Sequence, residues 1–264
     1  MASASFFGRL RDAAHGQRTR LCVGLDPDPS KIEGGAAGAL RHCASVVEAT
    51  RDLVCCYKPN SAFWEQYGPD GWAALKDLIA GIPDSALILL DAKRADVGST
   101  MAAYARAAFE ALGADACTVH AYHGEDSIRE FAKYPNAGVY VVCRTSNPGA
   151  RDLQHIDAGG LPFYLRVAEL AGRLNENGNV GLVVGATAPD EIEEVRAMSR
   201  LPFLVPGVGA QGGDLEAAVR AAWNGDEASC LVNVSRAVLY ADDPAAAARD
   251  YRDRINAVLA TAAS

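Results

Sequence analysis

Residues 86–100 read ALILLDAKRADVGST: an apolar run, Ala86 to Leu90, that stops abruptly at Asp91, Lys93, Arg94 and Asp96. A short run that is apolar on both faces is what a parallel strand covered by helices looks like in sequence. The amphipathic stretch next in the chain, 99–112, repeats Met101, Tyr104, Ala105, Ala108 and Leu112 at helical spacing, with Ser99 placed to cap it and Gly113 to stop it. One strand, a charged turn and one helix therefore make a unit of roughly 30 residues.

The same unit recurs along the chain. Strand-like runs lie at 21–26, 54–58, 86–91, 115–120, 137–143, 180–185, 203–206 and 229–234. Helical patterns fall between and after them, near 38–53, 70–80, 99–112, 124–133, 161–177, 189–199, 213–222 and 243–261. The last has Asp242 or Asp243 before Pro244 as a start signal. Strict alternation of this kind predicts an α/β protein, a single-domain (β/α)8 TIM barrel over residues 1–264. An open doubly wound sheet is the competing arrangement, but no G-x-G-x-x-G follows the first strand. The first twenty residues, outside the repeat, are expected to form a helix that closes the bottom of the barrel.

Composition narrows the partners. The chain has 264 residues, is half hydrophobic and carries a formal net charge of −8. That balance argues against a general attraction to nucleic acid or to an anionic membrane surface. The amino-terminal segment lacks the apolar core of a signal peptide, and no apolar run is long enough to span a bilayer. Seven cysteines, an odd number with no C-x-x-C pair, read as free thiols in a reducing cytoplasm rather than as a disulfide framework or a zinc site.

In a (β/α)8 barrel the chemistry collects at the carboxyl ends of the strands, and polar residues here gather at those ends. Asp26 closes the first strand, Lys58 the second, Asp91 and Lys93 the third, His120 the fourth. Singly, such residues are usually turn formers, caps or solvated charges. Asp91 and Lys93 are different: two positions apart, they share a face if the strand stays extended, and Lys58 on the neighbouring strand can flank Asp91. Opposite charges so arranged keep one another ionised. Asp96, three beyond Lys93, does not share that periodicity. After the seventh strand, VPGVGAQGGD (205–214) supplies glycines that let backbone N–H groups approach an anion. VSRA (234–237) then supplies Arg236 to grip a phosphate.

DAKRAD (91–96) matches the D-x-K-x-x-D signature of the orotidine 5′-phosphate decarboxylase family. The likeness extends to GLDPDPS (24–30), YKPNSAF (57–63), RTSNPGA (144–150), PGVGAQGGD (206–214) and SRA (235–237). D-x-K-x-x-D is shared with sugar-phosphate relatives, the ketogulonate-phosphate decarboxylases and hexulose-phosphate synthases. SNPGA together with GVGAQGGD resembles the orotidylate enzymes more specifically, and KPNSAF (58–63) and DAKR (91–94) resemble their longer bacterial subgroup. The resemblance implies cofactor-independent decarboxylation of orotidine 5′-monophosphate by a cytoplasmic homodimer with shared active sites, with no metal. It implies a charged tetrad of Lys58, Asp91, Lys93 and Asp96, the last donated by the partner subunit. It also implies Asp26 and a partner's Thr100 on the ribose, a partner's Val97 near the reacting carboxylate, Ser146 and Pro206 at the base, and Gln211 and Arg236 on the 5′-phosphate. Two positions depart from the family pattern: Ala95 and Ser235 stand where glycine is expected.

Other chemistries fit parts of the same pattern. A metal-dependent sugar-phosphate decarboxylase or synthase of the same superfamily would use Asp91 and neighbouring acids around a cation. A Schiff-base aldolase would use Lys93 or Lys58 as nucleophile. A non-catalytic nucleotide-phosphate binder would need the glycine-rich loop and Arg236 but not the paired charges.

Overall fold

The apolar runs become eight parallel strands: β1 (Leu21–Gly24), β2 (Cys56–Lys58), β3 (Leu87–Arg94), β4 (Ala116–His120), β5 (Gly138–Arg144), β6 (Val180–Val184), β7 (Phe203–Val205) and β8 (Cys230–Val234). Each pairs with the next, and β8 pairs with β1, so the sheet closes in chain order. The expected (β/α)8 barrel is the architecture of this computed structural model, which describes residues 5–208 and 213–262.

Alternation along the strands sorts the core into two clusters. Cys22, Cys56, Leu87, Leu89, Ala116, Tyr140, Val142, Val183, Leu204 and Leu231 pack together inside the barrel. Their sequence neighbours, such as Val23, Tyr57, Leu90, Cys117, Val141, Leu182, Val205 and Val232, pack outward against the helices. The period of two expected of any strand thus survives in a sheet whose faces are both apolar. All seven cysteines are buried and free. Burial pushes the Cys117, Cys143 and Cys230 thiols up to about 12.

The outer ring follows the predicted helices within a few residues. It comprises Gly35–Thr50, Pro69–Ala80, Gly98–Arg106, Asp126–Ala132, Phe163–Arg173, Pro189–Met198, Leu215–Ala222 and Pro244–Ala262. Asp214 and Asp243 serve as starts: their carboxylates accept the N–H groups of Ala217 at 3.0 Å and Ala246 at 2.9 Å. The helix after β3 differs from expectation. It begins at Gly98 with Val97, not Ser99, in the capping position and no side-chain cap. Gly98, at φ 35°, takes the sharp turn out of β3, a backbone angle serine would not favour.

The amino-terminal helix Phe6–Gln17 plugs the barrel bottom, as expected. Its Phe6, Phe7, Leu10 and Ala14 are buried in the interior cluster, and both phenyl rings meet Tyr140 edge-on. Each buried phenyl stabilises the closure by about 1.5–3 kcal/mol. Gly138, at the foot of β5, makes room for it: a Cβ there would lie 2.3 Å from the Phe6 ring. With one end sealed by apolar side chains, the polar residues are left at the other.

Candidate active site

Lys58, Asp91 and Lys93 end up in one row at the carboxyl end of the barrel. Lys58 Nζ donates to Asp91 Oδ2 at 2.9 Å, and Lys93 Nζ donates to Asp91 Oδ1 at 2.6 Å. Asp91 accepts two further bonds, from Thr118 Oγ1 at 2.9 Å and from Asn60 Nδ2 at 3.5 Å. Lys58 and Asp91 are buried, whereas the Lys93 side chain is 40 % exposed. The row forms part of the floor of a cleft of about 690 Å³, whose wall also includes Asp26, His120, Ser146, Pro206, Asn233 and Arg236.

The route by which Lys93 reaches Asp91 differs from the extended strand that the sequence suggests. Lys93 sits at φ 46°, in the left-handed region, which a residue with a side chain rarely adopts. The β3–β4 register slips at the same place: Leu90 pairs with Cys117 and Arg94 with Val119, so Asp91, Ala92 and Lys93 bulge opposite Thr118. The two-residue step joins Asp91 to Lys93 across a bulge and not along a regular pleat. Arg94 turns away, pairing with Glu65 at 2.8 Å and lying over the Tyr104 ring.

Burial would push the Asp91 carboxyl up. The ammonium groups of Lys58 and Lys93, with their hydrogen bonds, outweigh it and hold the group well below the usual carboxylate range. For Lys58, burial pulls down, but the carboxylates of Asp91 and Asp26 raise it above the usual lysine range. The signs fix the pH response. A carboxyl depressed by folding contributes stability above its unfolded value near 3.9 and loses it as pH falls through and below that value. An ammonium raised by folding contributes below about 10.4 and loses it as pH rises beyond. Asp91→Asn is therefore expected to cost about 3–5 kcal/mol at pH 7, since it strands the buried Lys58 charge. In urea unfolding, that gap should narrow by about 1 kcal/mol at pH 3. A gap constant between pH 7 and pH 3 would refute the assignment. His120, facing the cleft, is held below its ordinary value by burial and then by Lys93.

A second polar group stands beside the row, linked to it by Asn60. Asp26 Oδ1 accepts the Asn60 N–H at 3.1 Å, and Oδ2 accepts Ser235 Oγ at 2.6 Å. Tyr240 ties the same loop down, donating its hydroxyl to the Asp26 carbonyl at 3.0 Å and accepting the Asp28 N–H at 2.7 Å. Arg236 follows Ser235 as the exposed first residue of the short helix Arg236–Leu239. Pro206 follows β7, its carbonyl accepting the Ala186 N–H at 2.8 Å. The glycine-rich loop is pinned at its base, where the Gly213 N–H reaches the Gly207 carbonyl at 3.3 Å. A Cβ on Gly213 would lie 2.7 Å from that oxygen. Gln211 lies outside the described residues.

Ser146 sits in the loop after β5, on the cleft wall. Gln154 folds the loop back, accepting the Thr145 N–H at 2.9 Å and donating to Thr145 Oγ1 at 2.7 Å. Beneath, buried Arg144 pairs with Glu191, whose other oxygen is 3.3 Å from His155.

Asp96, Val97 and Thr100 take no part in this chain's own cleft. Asp96 Oδ1 accepts the Val97 N–H at 2.8 Å, Val97 is 52 % exposed and Thr100 is exposed. Among the described residues, no group of three or more His, Cys, Asp or Glu side chains is placed to hold a metal ion.

Residues 19–251 match the Orotidine 5'-phosphate decarboxylase / HUMPS family. The chain belongs to that family. Orotidine 5'-phosphate decarboxylase of Roseiflexus castenholzii is 51 % identical over 97 % of this chain and 98 % of its own length. The enzyme of the same name from Herpetosiphon aurantiacus is 50 % identical over 89 % and 90 %. Among solved structures, OMP decarboxylase of Leishmania donovani superposes with a TM-score of 0.90 at 44 % identity, covering 97 % of this chain and 98 % of that one. A putative orotidine-monophosphate decarboxylase of Toxoplasma gondii gives 0.95 at 40 %, covering 98 % of each.

Two residues stand out in the sequence as expected departures from the family pattern. Ser235 bonds Asp26. Gly24 accommodates it, since a Cβ at Gly24 would lie 2.6 Å from Ser235 Cβ. Ala95 is half-buried beyond the bulge, and nothing in the structure explains an alanine there. Thr118, Asn60 and Tyr240 are site residues that sequence reasoning missed. A hydroxyl or amide carries no periodic signal, and their partners are up to 214 residues away.

Proposed function

We propose that this protein decarboxylates orotidine 5′-monophosphate to uridine 5′-monophosphate and CO2, in pyrimidine biosynthesis, as one (β/α)8 decarboxylase domain spanning residues 1–264. The observation that carries the reading is the Lys58–Asp91–Lys93 row at the open end of a barrel whose other end is plugged. The C6–carboxylate bond breaks, CO2 departs, and the electron pair stays on C6. Lys93 stabilises that charge and gives C6 a proton, then regains one from solvent. Asp91 and Lys58 hold the ammonium in place. The reading assigns the reaction no cofactor and no metal.

Substrate contacts follow the cleft wall. Arg236, exposed on the cleft wall that Gly207 and Val208 also line, suits the 5′-phosphate, a role the resemblance shares with Gln211; Asp26 suits the ribose hydroxyls; Ser146 and Pro206 suit the base. The reading includes a homodimer in which Asp96, Val97 and Thr100 of one subunit complete the other's site. The absence of all three from their own cleft wall, with Val97 an exposed apolar residue and Thr100 exposed, supports that arrangement. Seven buried, free thiols support a cytoplasmic setting. No helix among the described residues is long and apolar enough to cross a membrane.

The test is direct. Purified protein is expected to consume orotidylate, followed by its ultraviolet absorbance, at the same rate with and without excess EDTA. Absence of turnover would remove the proposal, and abolition by EDTA would favour the metal-dependent sugar-phosphate chemistry of the superfamily.

A further inference from the structure

The bulge in β3 leaves the backbone of Lys93 with an unusual partner. Because Leu90 pairs with Cys117 and Arg94 with Val119, three residues of β3 face Thr118 alone. The Lys93 N–H reaches the side-chain oxygen of Thr118 at 2.9 Å. The same hydroxyl gives its proton to Asp91 Oδ1, also at 2.9 Å. Thr118 is 1 % exposed and lies one layer below the cleft, outside its wall.

We propose that Thr118 is a positioning residue for decarboxylation: through one hydroxyl it pins both the Lys93 backbone and the carboxylate that holds the Lys93 ammonium. A hydroxyl has one proton to donate and lone pairs to accept, and here it does both. Lys93 stands at φ 46°, a conformation that persists in a residue with a Cβ only where surroundings impose it. Asp91 keeps its rotamer through four donors, of which Thr118 is the one that also holds the Lys93 backbone N–H. Without the hydroxyl, the Lys93 N–H and one lone pair of Asp91 are left unsatisfied in a buried place. Both would relax, and the ammonium would move with them. A displacement of about 1 Å at a reacting group costs about a hundredfold in rate.

The inference rests on Lys93 as the proton donor, and the experiment separates the two. Thr118→Val keeps the shape and removes the hydroxyl; Thr118→Ser keeps the hydroxyl and removes a methyl; Thr118→Ala removes both. Thr118→Val and Thr118→Ala are expected to lose about a hundredfold in kcat with KM changed less than about threefold, because the phosphate and ribose contacts lie elsewhere. Thr118→Ser is expected to stay within about threefold of the parent in kcat. Melting curves show which variants are folded; if the valine variant is not, the alanine and serine pair decides. Valine or alanine turnover near the parent's, or serine turnover as poor as alanine's, overturns the inference. Turnover retained by Lys93→Ala overturns the proton-donor reading instead, whereas inactive Lys93→Ala beside active Thr118→Val overturns the role of Thr118 alone.

Discussion

Lys93→Ala is expected to reduce kcat by at least about 10⁴-fold while leaving a folded protein. Two contributions disappear together. Proton donation by a placed group supplies about 10²–10⁴ in rate, and a fixed charge aimed at developing negative charge supplies about 10²–10³. The fold should survive because Asp91 keeps Lys58, Thr118 and Asn60 as donors after the lysine is removed. The Lys93 side chain is 40 % exposed, so its loss from the ion pair should cost only about 1 kcal/mol. Single-turnover kinetics with orotidylate, beside a urea melt, measure both quantities. Residual turnover within tenfold of the parent in a folded variant would dismiss Lys93 as the group that acts at C6.

In the proposed homodimer, Asp96→Ala is expected to lower kcat by about 10²–10³, the size of one lost electrostatic group in a desolvated site. The diagnostic result comes from mixing it with Lys93→Ala. In a mixed dimer, one site takes Lys93 from the first chain and Asp96 from the second, so it is whole; the other lacks both. Random exchange makes about half the dimers mixed, so about a quarter of the parent activity should return. Among the described residues, Asp96 accepts the following backbone N–H and is absent from the wall of its own cleft, which is why the experiment asks for a second subunit. Verified mixed dimers with no gain over either parent variant would show that Asp96 does not serve a neighbouring site. They would leave the Lys58–Asp91–Lys93 row untouched.

The barrel was legible because it is written redundantly. Eight runs apolar on both faces, each followed by a helical period, admit few arrangements. The polar residues at the carboxyl ends of those runs were bound to share one mouth once the sheet closed. Lys58, Asp91 and Lys93 were legible for that reason. The geometry joining them was less so. An extended strand puts Asp91 and Lys93 on one face, yet the observed contact runs through a bulge with Lys93 in a left-handed conformation. The pairing is the same and the cause is different. A bulge depends on how β3 meets β4, which no local pattern in β3 records.

Asp26 makes the same point at longer range. From the sequence it is an acid at a strand end before PDPS, where a turn former is the ordinary explanation. In the fold its carboxylate is held by Asn60 and by Ser235, 209 residues away. Arg94 shows the converse: adjacent in sequence to Lys93, it is carried off to Glu65 and Tyr104.

By itself, the sequence determined the barrel, the end of it that carries chemistry, and the residues that make the charged row. Hydrophobic periodicity is local and is repeated eight times, so single ambiguities do not matter. Only the tertiary structure decided where the Lys93 ammonium points, that Thr118 sits under it, and that Asp96 takes no part in the wall of its own cleft. Those depend on register between strands and on hydrogen bonds between residues far apart in the chain, which form only when the closed sheet brings them within about 3 Å.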